Sequence, residues 1–207
     1  MIGLILKDFF TQKKNLRTML IFSLIFVGVF GFFNGQIDFV SSFILFFASI
    51  LSLSAFSFDK YCSWDNYALT LPISRNKIVA ARYLTVLLLI CFAAAIAILL
   101  ILLLAQFKDT SPWEFITSIY IMISFLLILL SVTLPIIYKF GIEHGRLLMI
   151  GLILVPFMII QIAINSSLQL PSAQLVKILS VFSLPCALVC YGLSYNIAAK
   201  IYLNKEF

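Results

Sequence analysis

Long apolar runs separated by short polar segments dominate the pattern of this chain. A membrane-spanning helix needs about 20 consecutive apolar residues, within a range of about 17–25. The runs are continuous and lack the alternation of a barrel strand, which predicts helices, because lipid offers backbone amides no other partner. The pattern therefore predicts an all-α integral membrane protein, with one transmembrane domain over residues 1–207. Its six predicted spans are roughly 18–35, 39–58, 83–106, 115–138, 147–163 and 178–198.

Basic residues are distributed unequally between the two ends of these spans. The loops that join the members of each helix pair carry only Lys108 and Lys177. Lys and Arg resist translocation, so loops that contain them stay cytoplasmic. The asymmetry predicts that both termini are cytoplasmic. The other twelve of the fourteen basic residues fall on that side: Lys7, Lys13, Lys14, Arg17, Lys60, Arg75, Lys77, Arg82, Lys139, Arg146, Lys200 and Lys205.

The composition agrees with a chain surrounded mostly by lipid. Of the 207 residues, 63% are hydrophobic and 11% are charged, whereas a soluble domain is about 25% charged. The mean hydropathy is +1.16. The net charge of +6 comes from residues at the ends of apolar runs, where topology and anionic headgroups account for it. We therefore expect no nucleic-acid partner.

The segment before the first span, residues 2–17, is predicted to form an amphipathic helix on the cytoplasmic leaflet. The alternative is a disordered basic tail, which the adjacent Phe9 and Phe10 disfavour. The apolar face carries Ile2, Ile5, Phe9 and Leu16, and the wetter side carries Lys7, Lys13, Lys14 and Arg17.

Catalytic chemistry is not apparent in the chain. It contains no Gly-x-x-x-x-Gly-Lys-Ser/Thr phosphate loop, and the only histidine, His144, lies in a short basic loop. No charged residue lies in the middle of a predicted span, which argues against an ion-driven pump and an intramembrane hydrolase. Cys186 and Cys190 share a helix face without a nearby His or carboxylate. We therefore expect no enzyme activity, no bound cofactor and no metal site in this chain.

The second predicted span is rich in serine. Ser42, Ser49 and Ser52 fall near one helical face. Small residues let membrane helices approach closely, so one interpretation is helix packing. The other interpretation is a mildly polar wall of a translocation path. The residues alone leave both open.

Three prolines lie inside predicted spans, at Pro135, Pro156 and Pro185. Proline in a membrane helix frees a carbonyl group and allows a kink. A polar segment on the outer side, Gln161 to Gln174, follows the second of these prolines. It forms either a short re-entrant hairpin or a plain loop.

The cytoplasmic loop from Asp59 to Arg82 is too apolar for a free linker. Its residues 63–69 are predicted to form two helical turns, with Trp64, Tyr67 and Ala68 on one face. Such a helix is suited to docking into a groove on another protein; the alternative is a loop anchored in lipid headgroups by its aromatic residues. Ser74 is a candidate cap for a helix that continues into the third span as one piece.

This loop resembles that of the short ABC-2 type permeases, the membrane subunits of bacterial ATP-binding-cassette exporters. Within that family the chain is similar to the permeases of phenol-soluble modulin exporters, which expel amphipathic cytolytic peptides. The residues that carry the resemblance are Asp59-Lys60, Trp64-Asp65-x-Tyr67, Leu71-Pro72-Ile73-Ser74-Arg75, Ile78-Val79 and Arg82-Tyr83-Leu84.

The resemblance implies a permease domain in the bacterial plasma membrane. Two permease chains, identical or close paralogues, would form the pathway, and two separate ATPase subunits would bind ATP and Mg. Residues 2–17 would be the connecting helix, and the first, second and fifth spans would line the path. Related permeases export drugs or bacteriocins, and a non-transporting protein that confers immunity by sequestration is the rival class. The coupling helix that enters the ATPase would include Ser63, Trp64, Asp65, Tyr67, Leu69 and Leu71.

Overall fold

The computed structural model describes residues 2–33, 37–105, 112–165 and 173–204. Within these ranges the chain is helical and contains no strand, which confirms the predicted all-α class. The helices are α1 (Ile2–Phe26), continued by a π-helical segment (Val27–Phe33), then α2 (Ile37–Tyr61), α3 (Trp64–Thr70), α4 (Arg75–Ala105), α5 (Pro112–Phe140), α6 (Ile142–Asn165) and α7 (Ala173–Leu203).

The long helices form a bundle whose basic ends meet. Lys7 near the start of α1 contacts Asp59 near the end of α2. At the same end, the Arg75 guanidinium of α4 donates a hydrogen bond of 2.7 Å to the Leu203 carbonyl of α7. We call this the basic end of the bundle. The basic end agrees with the charge asymmetry of the sequence, because these contacts bring together segments that the distribution of Lys and Arg assigns to one side of the membrane.

Four helices are long and apolar enough to cross a membrane within the described part of the chain. They are Phe39–Tyr61, Arg75–Leu103, Phe115–Phe140 and Ser180–Leu203. These segments match the second, third, fourth and sixth predicted spans. The first predicted span falls on α1 and its π-helical continuation, and the fifth falls on α6; some side chains of both lie outside the described set. These two spans stay predictions, and so does the orientation of the chain in the membrane.

The structure corrects the predicted end of the N-terminal helix. No break occurs at residue 17, because α1 runs uninterrupted from Ile2 to Phe26. Its buried face is also different from the predicted one, since Asp8, Gln12 and Met19 are buried and Lys7 is only half-exposed. The hydrophobic pattern failed here because charges on α2 and α4 neutralise those of α1, which lets a polar face pack into the bundle.

The start of α4 agrees with its sequence signals. The helix begins at Arg75, directly after Pro72 and Ser74, and continues to Ala105 as one piece. The Ser74 carbonyl accepts the first helical hydrogen bond, 2.9 Å from the Lys77 amide. Ser74 is therefore the entry residue of the helix that carries Arg82.

A tight turn connects α5 to α6. Gly141 has φ +90°, a left-handed conformation that L side chains rarely adopt. One helical turn later, Gly145 packs directly against the Ile137 side chain, and an added Cβ would overlap it. Both glycines are therefore required for the close antiparallel packing of these helices at the basic end. At the other end, α6 reaches Asn165 and α7 begins at Ala173, so the central half of the segment from Gln161 to Gln174 lies outside the described residues.

Candidate functional site

Four charged side chains from three helices meet at the basic end. The Lys7 ammonium of α1 lies 2.8 Å from Asp59 Oδ1 of α2 and 3.1 Å from Asp8 Oδ1. The Arg82 guanidinium of α4 lies 3.0 Å from Asp8 Oδ2 and also pairs with Asp59 Oδ2. Two cations and two carboxylates balance each other. We call Lys7, Asp8, Asp59 and Arg82 the ion quartet.

Burial makes the pairing within the ion quartet obligatory. Asp8 is 4% exposed and Arg82 is 7% exposed. An unpaired charge in such a position would be strongly disfavoured, whereas opposite charges in contact compensate for their lost hydration. The Arg82 guanidinium carbon also lies 4.8 Å from the centre of the Phe56 ring. The quartet therefore fixes α1, α2 and α4 to one another at their basic ends.

Sequence reasoning found only part of this arrangement. It made Asp59 and Arg82 the two limits of a cytoplasmic loop, put Lys7 on the wetter side of its helix and assigned no role to Asp8. One signal was available: Asp8 is the only acidic residue among the first 37 positions. A single carboxylate in a basic segment indicates a nearby cation on another helix, which here is Arg82.

The short helix α3 lies against the ion quartet. Ser63, with φ 48°, turns the chain from α2 into α3 through a left-handed conformation. The next residue, Trp64, has its ring centre 4.0 Å from the Lys7 ammonium, a cation–π contact. Ala68 on the same face is 1% exposed. The inner face of α3 is therefore attached to the bundle through Trp64 and Ala68.

The outer side of this region presents two tyrosines. Tyr67 is 57% exposed, although its ring lies only 5.4 Å from that of Trp64. Tyr61, the last residue of α2, is 87% exposed. Of the predicted docking pair, Tyr67 thus faces outward while Trp64 is engaged within the chain. Tyr61 was missed, because nothing in the local pattern shows which side of a helix end stays open.

The other predicted coupling residues are placed as follows. Ser63 is exposed, and Leu71 is half-buried, with its amide 3.3 Å from the Ala68 carbonyl. The side chains of Asp65 and Leu69 lie outside the described set. Coupling to a partner remains a prediction for all of these positions.

The predicted pathway serines occupy two kinds of site. Ser49 and Ser52 have no exposed surface, and their hydroxyls donate to the Phe46 carbonyl at 2.6 Å and the Ala48 carbonyl at 3.0 Å. Both serines therefore contribute to packing in the single chain. Ser42 is half-buried on α2. The pathway role stays a prediction for all three, with Ser42 the most accessible.

A partly exposed aromatic surface, which sequence reasoning missed, lies away from the basic end. Its rings come from α1, the π-helical segment and α2. Phe26 stacks on Phe43 with ring centres 3.8 Å apart, and Phe30 lies 5.1 Å from Phe39. π-Helical turns in proteins often occur at functional sites. The phenylalanine wall, as we call this surface, comprises Phe22, Phe26, Phe30, Phe39, Phe43 and Phe47.

Comparison with known proteins identifies the chain at the level of a family. Residues 3–203 match the sequence profile described as ABC-2 family transporter protein. Searches of curated proteins and of solved structures give no significant match. The match covers nearly the entire chain, including the ion quartet, α3 and the phenylalanine wall. The protein therefore belongs to the ABC-2 family of transporter membrane proteins.

Proposed function

We propose that this chain is the permease subunit of an ATP-driven exporter in the bacterial plasma membrane. ABC-2 membrane proteins typically pair with ABC ATPase subunits, and here two such subunits would bind ATP and Mg. One observation carries the proposal: α3 is attached to the ion quartet through Trp64 and Lys7, yet leaves Tyr61 and Tyr67 exposed. Exposed tyrosines on a short helix are suited to a protein interface.

The ion quartet offers a direct mechanical link from α3 to the spans. Lys7 contacts the Trp64 ring as well as the carboxylates of Asp8 and Asp59. A displacement of α3 by an ATPase subunit therefore acts on α1 and α2 through Lys7, and on α4 through Arg82. Because close-packed, paired groups resist deformation, the three helices would move together. ATP-driven closure of the two ATPase subunits would thus tilt the spans of both permease chains.

The proposed substrate class is an amphipathic peptide. The phenylalanine wall supports this choice, since half-exposed rings on the first two predicted spans fit the apolar side of such a peptide. Ser42, beside Phe43, adds a weakly polar edge. A second permease chain, identical or a close paralogue, would supply the facing surface of the pathway.

Copurification with the ATPase tests the permease assignment. The tagged chain is coexpressed with ABC ATPase candidates, recovered in mild detergent and assayed for ATP hydrolysis. We expect an ATPase to copurify with the wild type, and its recovery to fall at least tenfold in a Tyr61→Ala/Tyr67→Ala double variant. Phe140→Ala is the matched control, because Phe140 is an exposed aromatic residue at the basic end of α5.

The outcomes separate the competing functions. Full recovery of the ATPase and normal export in the double variant would show that the two tyrosines do not dock the ATPase. A folded chain that binds no ATPase from any candidate, but still binds a toxic peptide, would establish immunity by sequestration instead.

The substrate class needs a separate assay. Uptake of a fluorescent amphipathic helical peptide into inverted vesicles is compared between wild type, Phe43→Ala and Phe182→Ala. Phe182 is an exposed ring of α7, outside the phenylalanine wall. We expect Phe43→Ala alone to reduce uptake while ATPase recovery stays unchanged. Equal uptake by all three proteins, or uptake of a small hydrophobic drug in place of the peptide, would refute the peptide assignment.

A further inference from the structure

A groove of about 250 Å³ runs between α2 and α6. It starts at the basic end, at Arg146 and Ser54, and its walls further along are apolar. Phe46 and Ile50 line it on α2, and Ile150 and Ile153 line it on α6. Since a helix rises 1.5 Å per residue, the stretch from Ser54 to Phe46 covers about 12 Å. The groove is thus an apolar trough along the predicted spans, with a cation at one end.

The Arg146 side chain is exposed and only partly engaged. One of its terminal nitrogens donates a hydrogen bond of 2.7 Å to Ser57 Oγ of α2. Among the residues that the structure describes, no carboxylate lies within ion-pair distance of this guanidinium. Even Glu143, one helical turn earlier, does not pair with it. A guanidinium carries five N–H donors in a planar fork that matches phosphate oxygens. Arg146 therefore retains donors for an anion at the mouth of the groove.

We propose that this groove is a binding site for one anionic phospholipid of the inner leaflet. The headgroup phosphate binds Arg146, and an acyl chain lies in the trough between α2 and α6. This site goes beyond the proposed export function and depends on neither the ATPase nor the transported substrate.

Charge and depth together select this occupant. The groove begins at the end of the bundle that the charge asymmetry assigns to the cytoplasm, where anionic lipid headgroups attract exposed Lys and Arg. Lys60, one turn beyond Ser57 on α2, is exposed and adds a second positive charge. A soluble anion would satisfy Arg146 but leave the trough unfilled, and a zwitterionic lipid would fill the trough but bring a compensating cation. An anionic lipid both pairs with Arg146 and fills the trough.

Native mass spectrometry of the purified full chain tests the site. The protein is exposed to equal amounts of phosphatidylglycerol and phosphatidylcholine with identical acyl chains, and retained lipids are counted. We expect about a fivefold preference for phosphatidylglycerol, from the attraction of one cation near the membrane surface. Arg146→Gln should abolish the preference, and Arg146→Lys should keep part of it. Ile150→Trp, which fills the trough at an exposed position, should reduce retention of both lipids.

Lys139→Gln is the matched control, because Lys139 is an exposed cation at the basic end of α5, outside the groove. Its preference should equal that of the wild type. Equal retention of the two lipids by the wild type, or an unchanged preference in Arg146→Gln, would overturn the proposal. Displacement of the lipid by millimolar glycerol phosphate would also overturn it, since the anion alone would then be the ligand.

Discussion

The Tyr120 hydroxyl of α5 donates a hydrogen bond of 2.8 Å to the Val181 carbonyl of α7. Pro185, four residues after Val181, has no N–H group, so this carbonyl lacks its helical donor. An unpaired carbonyl is costly in lipid, which contains no water to satisfy it. Tyr120 therefore compensates for Pro185 and ties α5 to α7, which among the described residues is the pair of helices with the most extensive contact.

Tyr120→Phe should lower the free energy of unfolding by about 0.6 kcal/mol, the average for a hydrogen bond between membrane helices, and by at most about 1.7 kcal/mol. Unfolding in mixed micelles measures the change. The same substitution in a Pro185→Ala background is the control, because an alanine at this position would supply the missing N–H and the cost should shrink. An equal cost in both backgrounds would show that Tyr120 does not act through this carbonyl.

Arg82→Leu should destabilise the protein by about 3–5 kcal/mol, because Lys7 alone then faces the carboxylates of Asp8 and Asp59 and one negative charge is left uncompensated. Adding Asp8→Asn should recover part of the loss, since Lys7 and Asp59 then balance each other and the excess negative charge is removed. Thermal unfolding of the single and double variants tests both statements. Additive losses would mean that Arg82 and Asp8 do not interact in the folded protein.

Trp64 and Tyr67 should differ in what their removal changes. Trp64→Ala loses a half-buried ring and its cation–π contact with Lys7, so both the unfolding temperature and the coupling of ATP hydrolysis to export should fall. Tyr67→Ala removes an exposed ring, so coupling should fall while the unfolding temperature changes little. Melting curves together with export assays distinguish them. A fall in stability for Tyr67→Ala as large as for Trp64→Ala would contradict the outward assignment.

Gly145→Ala should destabilise the turn between α5 and α6 by about 1–3 kcal/mol, because the Ile137 side chain must move to admit the new methyl group. Ile137→Ala should partly rescue this variant by making room. The same change should not rescue Gly141→Ala, whose strain comes from φ +90° and not from crowding. Expression level and unfolding temperature report the result, and rescue of both variants would refute the distinction.

Gln12→Met should stabilise the fold by about 1–3 kcal/mol, the cost of a buried polar group without a hydrogen bond. Gln12 is 1% exposed, and neither its Oε1 nor its Nε2 has a partner among the described residues. Asn15→Leu is the contrast, because the Asn15 amide bonds to Ser54 Oγ at 3.4 Å and its loss should not stabilise. If Gln12→Met lowers the unfolding temperature, the amide is bonded in the folded protein.

The helices and the end of the bundle at which basic residues collect were predictable from the sequence. Hydropathy is a local property, so an apolar run such as that of α4 is visible in the sequence itself. The start of this helix follows from Pro72 and Ser74. The distribution of Lys and Arg is likewise visible residue by residue, because each cation resists translocation independently of the fold. The residues of the loop after α2 were enough to indicate the family.

The side-chain partners were decided by the tertiary structure alone. Lys7 and Asp59 are separated by 52 positions, so no local pattern shows that a residue from the wet side of α1 is neutralised by α2. The orientation of α3 likewise depends on distant residues. Trp64 faces inward because its ring contacts the Lys7 ammonium of α1, and Tyr67 remains exposed. Charge pairing and close packing act between groups that are near in space, and their positions exist only once the helices have assembled.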